Sequence, residues 1–193
     1  MLKPQYALVA YVKHPVGEFV ESLRRELHPE LPHLPAHVTV LPPRYLVAST
    51  GGATPPPTEA TALETLGEMC RQVDPFEIVL GEVETFVPVT PTVFIRVAHA
   101  GYRMRELHER LNAGIFACRE QWPYMPHLTI VKMATEEKAL QAFEIARELW
   151  NQFQGSRRIA VEELTFVRQG EQNTWVDLAP IPLGRSLVSG KSW

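Results

Sequence analysis

Apolar residues recur along the chain with two spacings, one typical of β-strands and one typical of α-helices. A compact apolar run over Tyr6–Val12 predicts a strand, and apolar residues at helical spacing predict a helix over Val16–Leu27. A second short strand is predicted over Ala36–Leu41, where Pro42 and Pro43 end it. The chain therefore opens with a strand, a helix and a strand.

A polar segment rich in proline and glycine, Pro42–Pro57, separates this opening from the remaining elements. It is interpreted either as a lid hinged at Gly51 and Gly52 or as a surface insertion. Beyond it the pattern predicts three helices, of which the first and the last begin with a capping threonine: Thr58–Val73, Tyr102–Leu111 and Thr135–Phe153. It also predicts five strands, the first two of them forming a hairpin: Phe76–Phe86, Thr92–Val97, His127–Met133, Arg158–Val167 and Thr174–Leu178.

The order of elements repeats, which indicates that the two halves of the chain are copies of one unit. His37-Val-Thr-Val40 recurs as His127-Leu-Thr-Ile130, which lies 90 residues later (127 − 37). Two further similarities follow in the same order in both halves: Thr58-Glu-x-x-Ala-Leu63 with Thr135-Glu-x-x-Ala-Leu140, and Thr85-Phe86-Val87 with Thr165-Phe166-Val167. Short alternations also recur by chance, but three similarities in one order favour duplication.

Composition limits the class of protein. With 193 residues, 45% of them hydrophobic, the chain is long enough to bury one core or two small lobes. A formal net charge of −3 provides no broad basic field for long nucleic acid, so a nucleic-acid partner would be a short end or a small fragment. No secretory leader and no apolar run of about 18 residues is evident, and a cytoplasmic location without membrane contact is expected. The two cysteines, Cys70 and Cys118, indicate neither a disulfide nor a zinc site.

Each His-x-Thr motif has one apolar side and one polar side. Residues two apart on a strand project to the same face, so His37 lies beside Thr39, and His127 lies beside Thr129. A duplicated fold would bring the two polar sides together across a cleft. A single histidine in an apolar strand is usually structural, but two matches at equivalent places in two halves favour a catalytic pair.

Two histidines facing one phosphodiester meet a definite chemical need. A neutral imidazole takes a proton from the attacking oxygen, while an imidazolium gives a proton to the leaving oxygen. An unperturbed pKa of about 6.5 makes both forms of histidine accessible near neutral pH. Thr39 and Thr129 can donate hydrogen bonds to the non-bridging oxygens. This chemistry requires no metal, and the two motifs offer a metal only two good donors.

The paired motifs, their interval and the duplicated α/β halves resemble the 2H phosphoesterase superfamily, which includes 2′-5′ RNA ligases and cyclic nucleotide phosphodiesterases. The resemblance spans the chain and implies an α+β fold, with two antiparallel sheets lining a central cleft and helices outside. It implies one domain, 1–193, with two pseudo-symmetric lobes of about 1–90 and 91–193, and leaves open whether they exchange strands. By the same resemblance His37 and His127 are the acid/base pair, and Thr39 and Thr129 bind phosphate. The implied substrate is a 2′,3′-cyclic phosphate or a related ribose phosphodiester, opened by water or joined to a 5′-hydroxyl.

Five other residues are secondary candidates. Arg44 and Lys132 follow the motifs and are candidates to complete a phosphate site, with a solvated surface charge as the alternative for each. Lys132 stands where many ligase-type members carry arginine, which keeps the charge but loses the bidentate geometry. Tyr45 and Tyr124 are candidates to stack on a base, whereas a buried position is favoured for Phe86.

The sequence therefore predicts an enzyme, a cyclic phosphodiesterase or 2′-5′ RNA ligase acting on RNA termini or small nucleotides. No cofactor, metal or protein partner is expected. The alternative is a non-catalytic module that binds nucleotides or RNA ends in the same cleft, and a third reading is a cleft used for protein interaction alone. Turnover separates the first reading from the second, and nucleotide binding separates the second from the third.

Overall fold

Helices and strands alternate over the part of the chain that the structure describes, a computed structural model of residues 3–28, 34–48, 57–171 and 174–184. In chain order the elements are β1 (Tyr6–Tyr11), α1 (Val16–Leu27), β2 (His37–Arg44), α2 (Glu59–Cys70), β3 (Phe76–Thr85), β4 (Thr92–His99), α3 (Gly101–Leu111), a short 3-10 turn (Gly114–Phe116), β5 (His127–Lys132), α4 (Glu136–Gln152), β6 (Arg158–Val161), β7 (Glu163–Gln169) and β8 (Trp175–Pro182). The α+β class is confirmed. Half of the segment proposed as a lid, residues 49–56, lies outside the described ranges.

The eight strands form one antiparallel sheet in the order β6-β3-β4-β5-β2-β1-β7-β8. The two central strands, β5 and β2, carry the paired motifs and are paired at Val38 and Leu128. This short junction divides the curled sheet into two four-stranded halves. The two expected sheets are thus the halves of one sheet, joined where the motifs lie.

The halves of the sheet do not coincide with the halves of the chain. β3 lies between β6 and β4, although it belongs to the first copy of the repeated unit, and β7 with β8 lies beside β1. The first copy therefore contributes β3, and the second copy contributes β7 and β8, to the half of the sheet that contains the other copy's first two strands. A boundary near residue 90 does not separate one half of the sheet from the other.

The second strand runs further than the sequence predicts. β2 continues through Pro42 and Pro43 to Arg44, instead of ending at Leu41. Leu41 pairs with Leu8 and Arg44 pairs with Tyr6, so the two prolines occupy an irregularity in the β1–β2 ladder. A bulge tolerates proline because its residues need not donate to the partner strand, and the prediction that the prolines end the strand was wrong.

The run predicted as one strand over Arg158–Val167 is two strands. β6 ends at Val161 and pairs with β3, whereas β7 begins at Glu163 and pairs with β1. The chain passes between opposite halves of the sheet at Glu162. A continuous β-pattern cannot reveal this step, because both pieces have the same alternation.

The core lies on the side of the sheet that carries the helices. Buried side chains of α1, α2, α3 and α4 form one cluster with one face of the strands, including Val38, Val40, Leu128 and Ile130, each at most 2% exposed. We call the opposite face the open face, because none of the four described α-helices packs against it. No described helix has the length and apolarity needed to cross a membrane.

Two of the repeated signals correspond to equivalent structures, and one does not. Thr58 and Thr135 cap α2 and α4, each accepting a hydrogen bond from the backbone nitrogen three residues later. The Thr-Phe-Val similarity is out of register: Phe166 is 1% exposed in the core, whereas Phe86 lies just past the end of β3 and is half-buried. That part of the predicted repeat, and the buried position it favoured for Phe86, was wrong.

Candidate active site

The polar side chains of the two motifs lie side by side on the open face of β2 and β5. The antiparallel register at the junction sets His37 opposite Thr129 and Thr39 opposite His127. All four are partly exposed, while the motif residues between them are buried. The histidines occupy one diagonal of this four-residue patch, and diagonal neighbours on adjacent strands are about 7 Å apart.

Both imidazole rings are held in the same way by the backbone before the motif. Nδ1 of His37 lies 2.7 Å from the carbonyl oxygen of Pro35, and Nδ1 of His127 lies 2.7 Å from that of Met125. A carbonyl can only accept, so Nδ1 carries the proton in each ring. In the neutral ring Nε2 then has a free lone pair and can act as a base. In the protonated ring Nε2 carries a proton and can act as an acid.

Burial lowers the pKa of both rings. The pKa of His37 falls from 6.5 to about 4, mainly through desolvation and with smaller contributions from the charges of Arg24 and His127; the bond to Pro35 opposes the shift. Burial likewise lowers the pKa of His127. Since His127 contributes to the pKa of His37, the two rings sense each other's charge. The free protein therefore holds both rings neutral at pH 7, ready to accept a proton.

A tyrosine lies beside His37. Tyr11 is its partner on β1, and the two ring centroids are 6.4 Å apart with perpendicular planes. The Tyr11 hydroxyl donates to Oδ1 of Asp177 on β8 at 2.6 Å. Burial and this bond raise the pKa of Tyr11, so the hydroxyl keeps its proton. Tyr11, held in place by Asp177, therefore packs against the His37 ring and limits how that ring can turn.

Two phenylalanines and an arginine lie beside His127. The rings of Phe86 and Phe94 stack 4.1 Å apart, and each meets the His127 ring edge-on, at 5.1 and 5.2 Å. Arg96 is the partner of His127 on β4 and is exposed, with a 3.4 Å ion pair to Glu84. The aromatic pair desolvates the second imidazole, while Arg96 places a positive charge at the edge of the patch.

Lys132 extends the polar row of β5. It pairs with Thr92, on the open face, and its side chain is exposed. The predicted position beside the motif therefore agrees with the structure. Its role in phosphate binding stays a proposal.

Arg44 lies on the other face of the sheet, and the structure contradicts its assignment to the phosphate site. It pairs with Tyr6 on the core side and is 3% exposed. Its guanidinium donates to Asn112 at 2.6 Å and to Glu120 at 2.5 Å, and to the carbonyl oxygens of Pro42 and Phe116. The bulge that accommodates the prolines turns this side chain inward, so it stabilises the fold and cannot face a phosphate at the patch.

Tyr124 does not present a ring to a base. Its ring stacks on His108 at 4.0 Å with planes 4° apart, and its hydroxyl donates to the carbonyl oxygen of Thr39 at 2.8 Å. Burial, with the charge of Glu120, raises its pKa. It therefore supports the backbone of the first motif instead of forming a stacking surface.

Tyr45 lies outside the four-residue patch. It follows the last residue of β2 and is 50% exposed. Six residues of extended chain separate it from Thr39, roughly 20 Å at 3.3 Å per residue. Its role in stacking on a base stays a prediction.

Sequence reasoning missed three side chains that border the patch: Tyr11, Phe94 and Arg96. The alternation along β4 gives a weak signal, because Phe94 and Arg96 share a face while the residues between them are apolar. Nothing in the sequence shows that β4 and β1 are the strands next to the motifs. Among the described residues no group of three or more His, Cys, Asp or Glu side chains has metal-binding geometry.

Comparison with known proteins identifies relatives over most of the chain. The family model described as the 2′-5′ RNA ligase superfamily matches residues 12–173. The protein named "Putative phosphoesterase BH1439" of Halalkalibacterium halodurans is 27% identical over 125 residues, 65% of this chain and 68% of its own. One of the same description, OB1230 of Oceanobacillus iheyensis, is 24% identical over 128 residues, 66% of this chain and 70% of its own.

Solved structures share the fold at low sequence identity. Apo LigT of E. coli superposes with a TM-score of 0.61 at 16% identity, covering 95% of this chain and 100% of LigT. The protein TT0787 of Thermus thermophilus gives a TM-score of 0.60 at 16% identity, covering 94% of this chain and 99% of its own. LigT with 3′-AMP bound gives 0.57 at 12% identity, covering 95% of this chain and 100% of LigT. At these identities the likeness concerns the fold.

Proposed function

The chain belongs to the 2′-5′ RNA ligase superfamily, and from that premise we propose that it is a metal-independent phosphodiesterase with His37 and His127 as its acid/base pair. The proposed substrates are RNA ends carrying a 2′,3′-cyclic phosphate, or cyclic and other small nucleotides. Joining of such an end to a second RNA would open the same cyclic phosphate, with a ribose 5′-hydroxyl in place of water as the attacking group and a 2′-5′ bond as the product. The observation that carries the proposal is the matched pair of imidazoles, each with Nδ1 fixed and Nε2 available, on one face of adjacent strands.

The chemistry needs one proton to move at each ring. In hydrolysis, Nε2 of one neutral imidazole takes a proton from water as the water oxygen bonds to phosphorus. The bond from phosphorus to one ribose oxygen breaks, and Nε2–H of the other, protonated imidazole gives that oxygen a proton. After the step the two rings have exchanged protonation states, so solvent exchange restores them and no other reactant is consumed.

Because both histidine pKa values are lowered, we expect binding of the substrate phosphate to promote protonation of the acid. With both rings largely neutral at pH 7, the acid must gain its proton as the anionic phosphate binds, because a nearby negative charge favours the imidazolium. Thr39 and Thr129 would donate hydrogen bonds to the non-bridging oxygens as their charge grows. Lys132 would add a positive charge at the edge of the same phosphate.

Two observations favour a small nucleotide or a short RNA end. The protein's net charge of −3 provides no long basic track. Structures of LigT, which shares the fold, have been solved with 3′-AMP, with ATP and with NADP+. Both support a substrate of nucleotide size without naming the natural one.

The alternative is a non-catalytic module that binds nucleotides or RNA ends on the same patch. It is the weaker proposal, because binding alone requires neither two matched imidazoles nor a free Nε2 on each. It predicts affinity for a nucleoside 2′-phosphate without turnover of any cyclic or linear diester.

The test is hydrolysis of the four 2′,3′-cyclic nucleotides in EDTA by wild type, His37→Gln and His127→Gln. We expect turnover by wild type and a loss of roughly 100-fold or more in kcat for each variant. His14→Gln, at an exposed histidine outside the patch, is the matched control and should behave as wild type. Full activity in either motif variant would reject the mechanism, binding without turnover by wild type would support the alternative, and loss of wild-type turnover in EDTA would show that a metal takes part.

A further inference from the structure

A buried arginine on α1, Arg24, bonds both the backbone of the second motif and the segment that precedes the first motif. Arg24 is 5% exposed and reaches the backbone of β5, where Nη2 donates to the carbonyl oxygen of Thr129 at 2.5 Å and Nε donates to that of Ile130 at 3.0 Å. Its Nη1 donates to the carbonyl oxygen of Leu34 at 3.0 Å and to Glu21 at 2.9 Å. One planar group thus bonds segments of the chain that are about a hundred residues apart.

The irregular ladder of β5 explains why two consecutive carbonyls are available to one side chain. Phe94 pairs with Thr129 and Val93 pairs with Val131, so Ile130 is left without a partner on β4. In a regular strand consecutive carbonyls point to opposite sides, whereas a bulge can turn both to one side. Burying those carbonyls without a donor would be unfavourable, and Arg24 supplies the donors.

The same side chain also holds the segment that aims the first catalytic ring. Leu34 directly precedes Pro35, whose carbonyl oxygen accepts from Nδ1 of His37. Arg24 therefore fastens the support of His37 on one side and the backbone of the phosphate-binding Thr129 on the other. Since His37 and Thr129 are opposite each other, the guanidinium bonds the backbone on both sides of this pair.

We propose that Arg24 is a positioning residue that fixes the spacing between His37 and the second motif, and thereby the alignment of the base, the acid and the phosphate. This inference rests on the proposed function of the same patch. A guanidinium suits the task because its N–H groups form a rigid fork, whereas an ammonium of equal charge cannot hold three carbonyls in fixed directions.

The first motif is supported in a similar way, but by two side chains instead of one arginine. Nδ1 of His108 on α3 lies 2.8 Å from the carbonyl oxygen of Val40, and the Tyr124 hydroxyl donates to that of Thr39 at 2.8 Å. The corresponding two carbonyls of each motif are thus bonded by side chains from the other half of the chain. The guanidinium lies on the His37 side, and this asymmetry makes the two rings inequivalent.

The charge of Arg24 also acts on the pKa of His37, and a side chain that only filled space would have no such effect. Among the residues that the structure describes, the charged and titratable groups that act on or contact His37 are Arg24 and Glu21 from α1, His127 from β5 and Tyr11 from β1. After burial, the charge of Arg24 contributes to lowering the pKa of His37, while Glu21 raises it. Removing the charge should therefore raise the pKa of His37, whereas a variant that keeps the charge should leave it low.

The experiment compares Arg24→Lys with Arg24→Gln in steady-state hydrolysis of a 2′,3′-cyclic nucleotide. Arg24→Lys keeps the charge and loses the fork, and we expect kcat to fall roughly 10- to 100-fold with KM changed less than about threefold, since misplacement by about 1 Å has that cost. Arg24→Gln loses both, and we expect the same fall in kcat together with an upward shift of the acid limb of the pH profile. Arg44→Lys is the control, because Arg44 is equally buried, bonds away from the patch and should lose stability without that loss of kcat.

A second readout keeps the inference separate from the proposed function. The imidazole nitrogens of His37, followed by NMR as a function of pH, should titrate at higher pH in Arg24→Gln than in wild type, whether or not any substrate is turned over. If wild type hydrolyses no substrate, the proposed function fails and this titration still decides whether Arg24 acts on His37. Wild-type kcat in Arg24→Lys, with the melting temperature lowered as in Arg44→Lys, would overturn the inference. An unchanged His37 titration in Arg24→Gln would also overturn it.

Discussion

The burial of His37 makes the stability of the protein depend on pH in a way that one substitution can isolate. The unfolded chain takes up a proton on this residue near pH 6.5, but the folded chain does so only near pH 4. Between these values the unfolded state binds more protons, so stability is full above pH 6.5 and falls as the pH drops towards 4. With these values, the cost of moving from pH 7 to pH 5 is about 2 kcal/mol.

His37→Gln removes this contribution while keeping a polar side chain of similar size. Urea unfolding of wild type and of His37→Gln at pH 7 and pH 5 gives the two losses of stability, and the loss in the variant should be smaller by about 2 kcal/mol. All other titrating groups are common to both proteins. His14→Gln, at an exposed histidine outside the patch, is the control variant and should lose as much stability as wild type. Equal losses in wild type and His37→Gln would show that the ring is not desolvated, and the reasoning about its pKa would be refuted.

Three further predictions concern activity and the support of the motifs. The pH profile of kcat/KM should be bell-shaped with its maximum between about pH 4 and pH 6.5, because one ring must be neutral and the other protonated and both pKa values are lowered; a maximum above pH 7 would contradict this. Lys132→Ala should raise KM for a cyclic nucleotide roughly fivefold with little change in kcat, and Lys132→Arg should restore it, whereas an unchanged KM would exclude Lys132 from the phosphate site. Tyr124→Phe should lower the free energy of unfolding by about 1–3 kcal/mol in urea titrations, because the carbonyl oxygen of Thr39 loses its donor; unaltered stability would mean that water replaces the hydroxyl.

The arrangement of the motif side chains could be predicted from the sequence because it depends on alternation within single strands. His37 and Thr39 share a face in any strand, and so do His127 and Thr129, whatever surrounds them. Duplication then predicted that the two strands would correspond, and the structure places them side by side. The starts of two helices, at Thr58 and Thr135, could be predicted for the same reason, because a capping hydrogen bond joins residues within one helical turn.

Features that depend on which strands become neighbours could not be predicted in the same way. Arg44 follows its motif closely in sequence, but an irregular ladder turns it to the core, and no local pattern shows that turn. Arg24 lies on a helix whose other polar side chains are exposed or half-buried, so the helical pattern does not single it out. Its partners on β5 are more than a hundred residues away in the sequence. Tyr11 and Arg96 border the patch only because β1 and β4 flank β2 and β5.

The central claim is that two imidazoles from equivalent halves of the chain act on one phosphorus atom. The most direct measurement is an NMR titration of the imidazole nitrogens of His37 and His127 with a nucleoside 2′-monophosphate, in EDTA at pH 6. We predict that both rings shift together, with one dissociation constant and one ligand per chain, and that each moves towards the protonated form as the phosphate binds. A shift confined to one ring, or two rings responding with different dissociation constants, would contradict the claim.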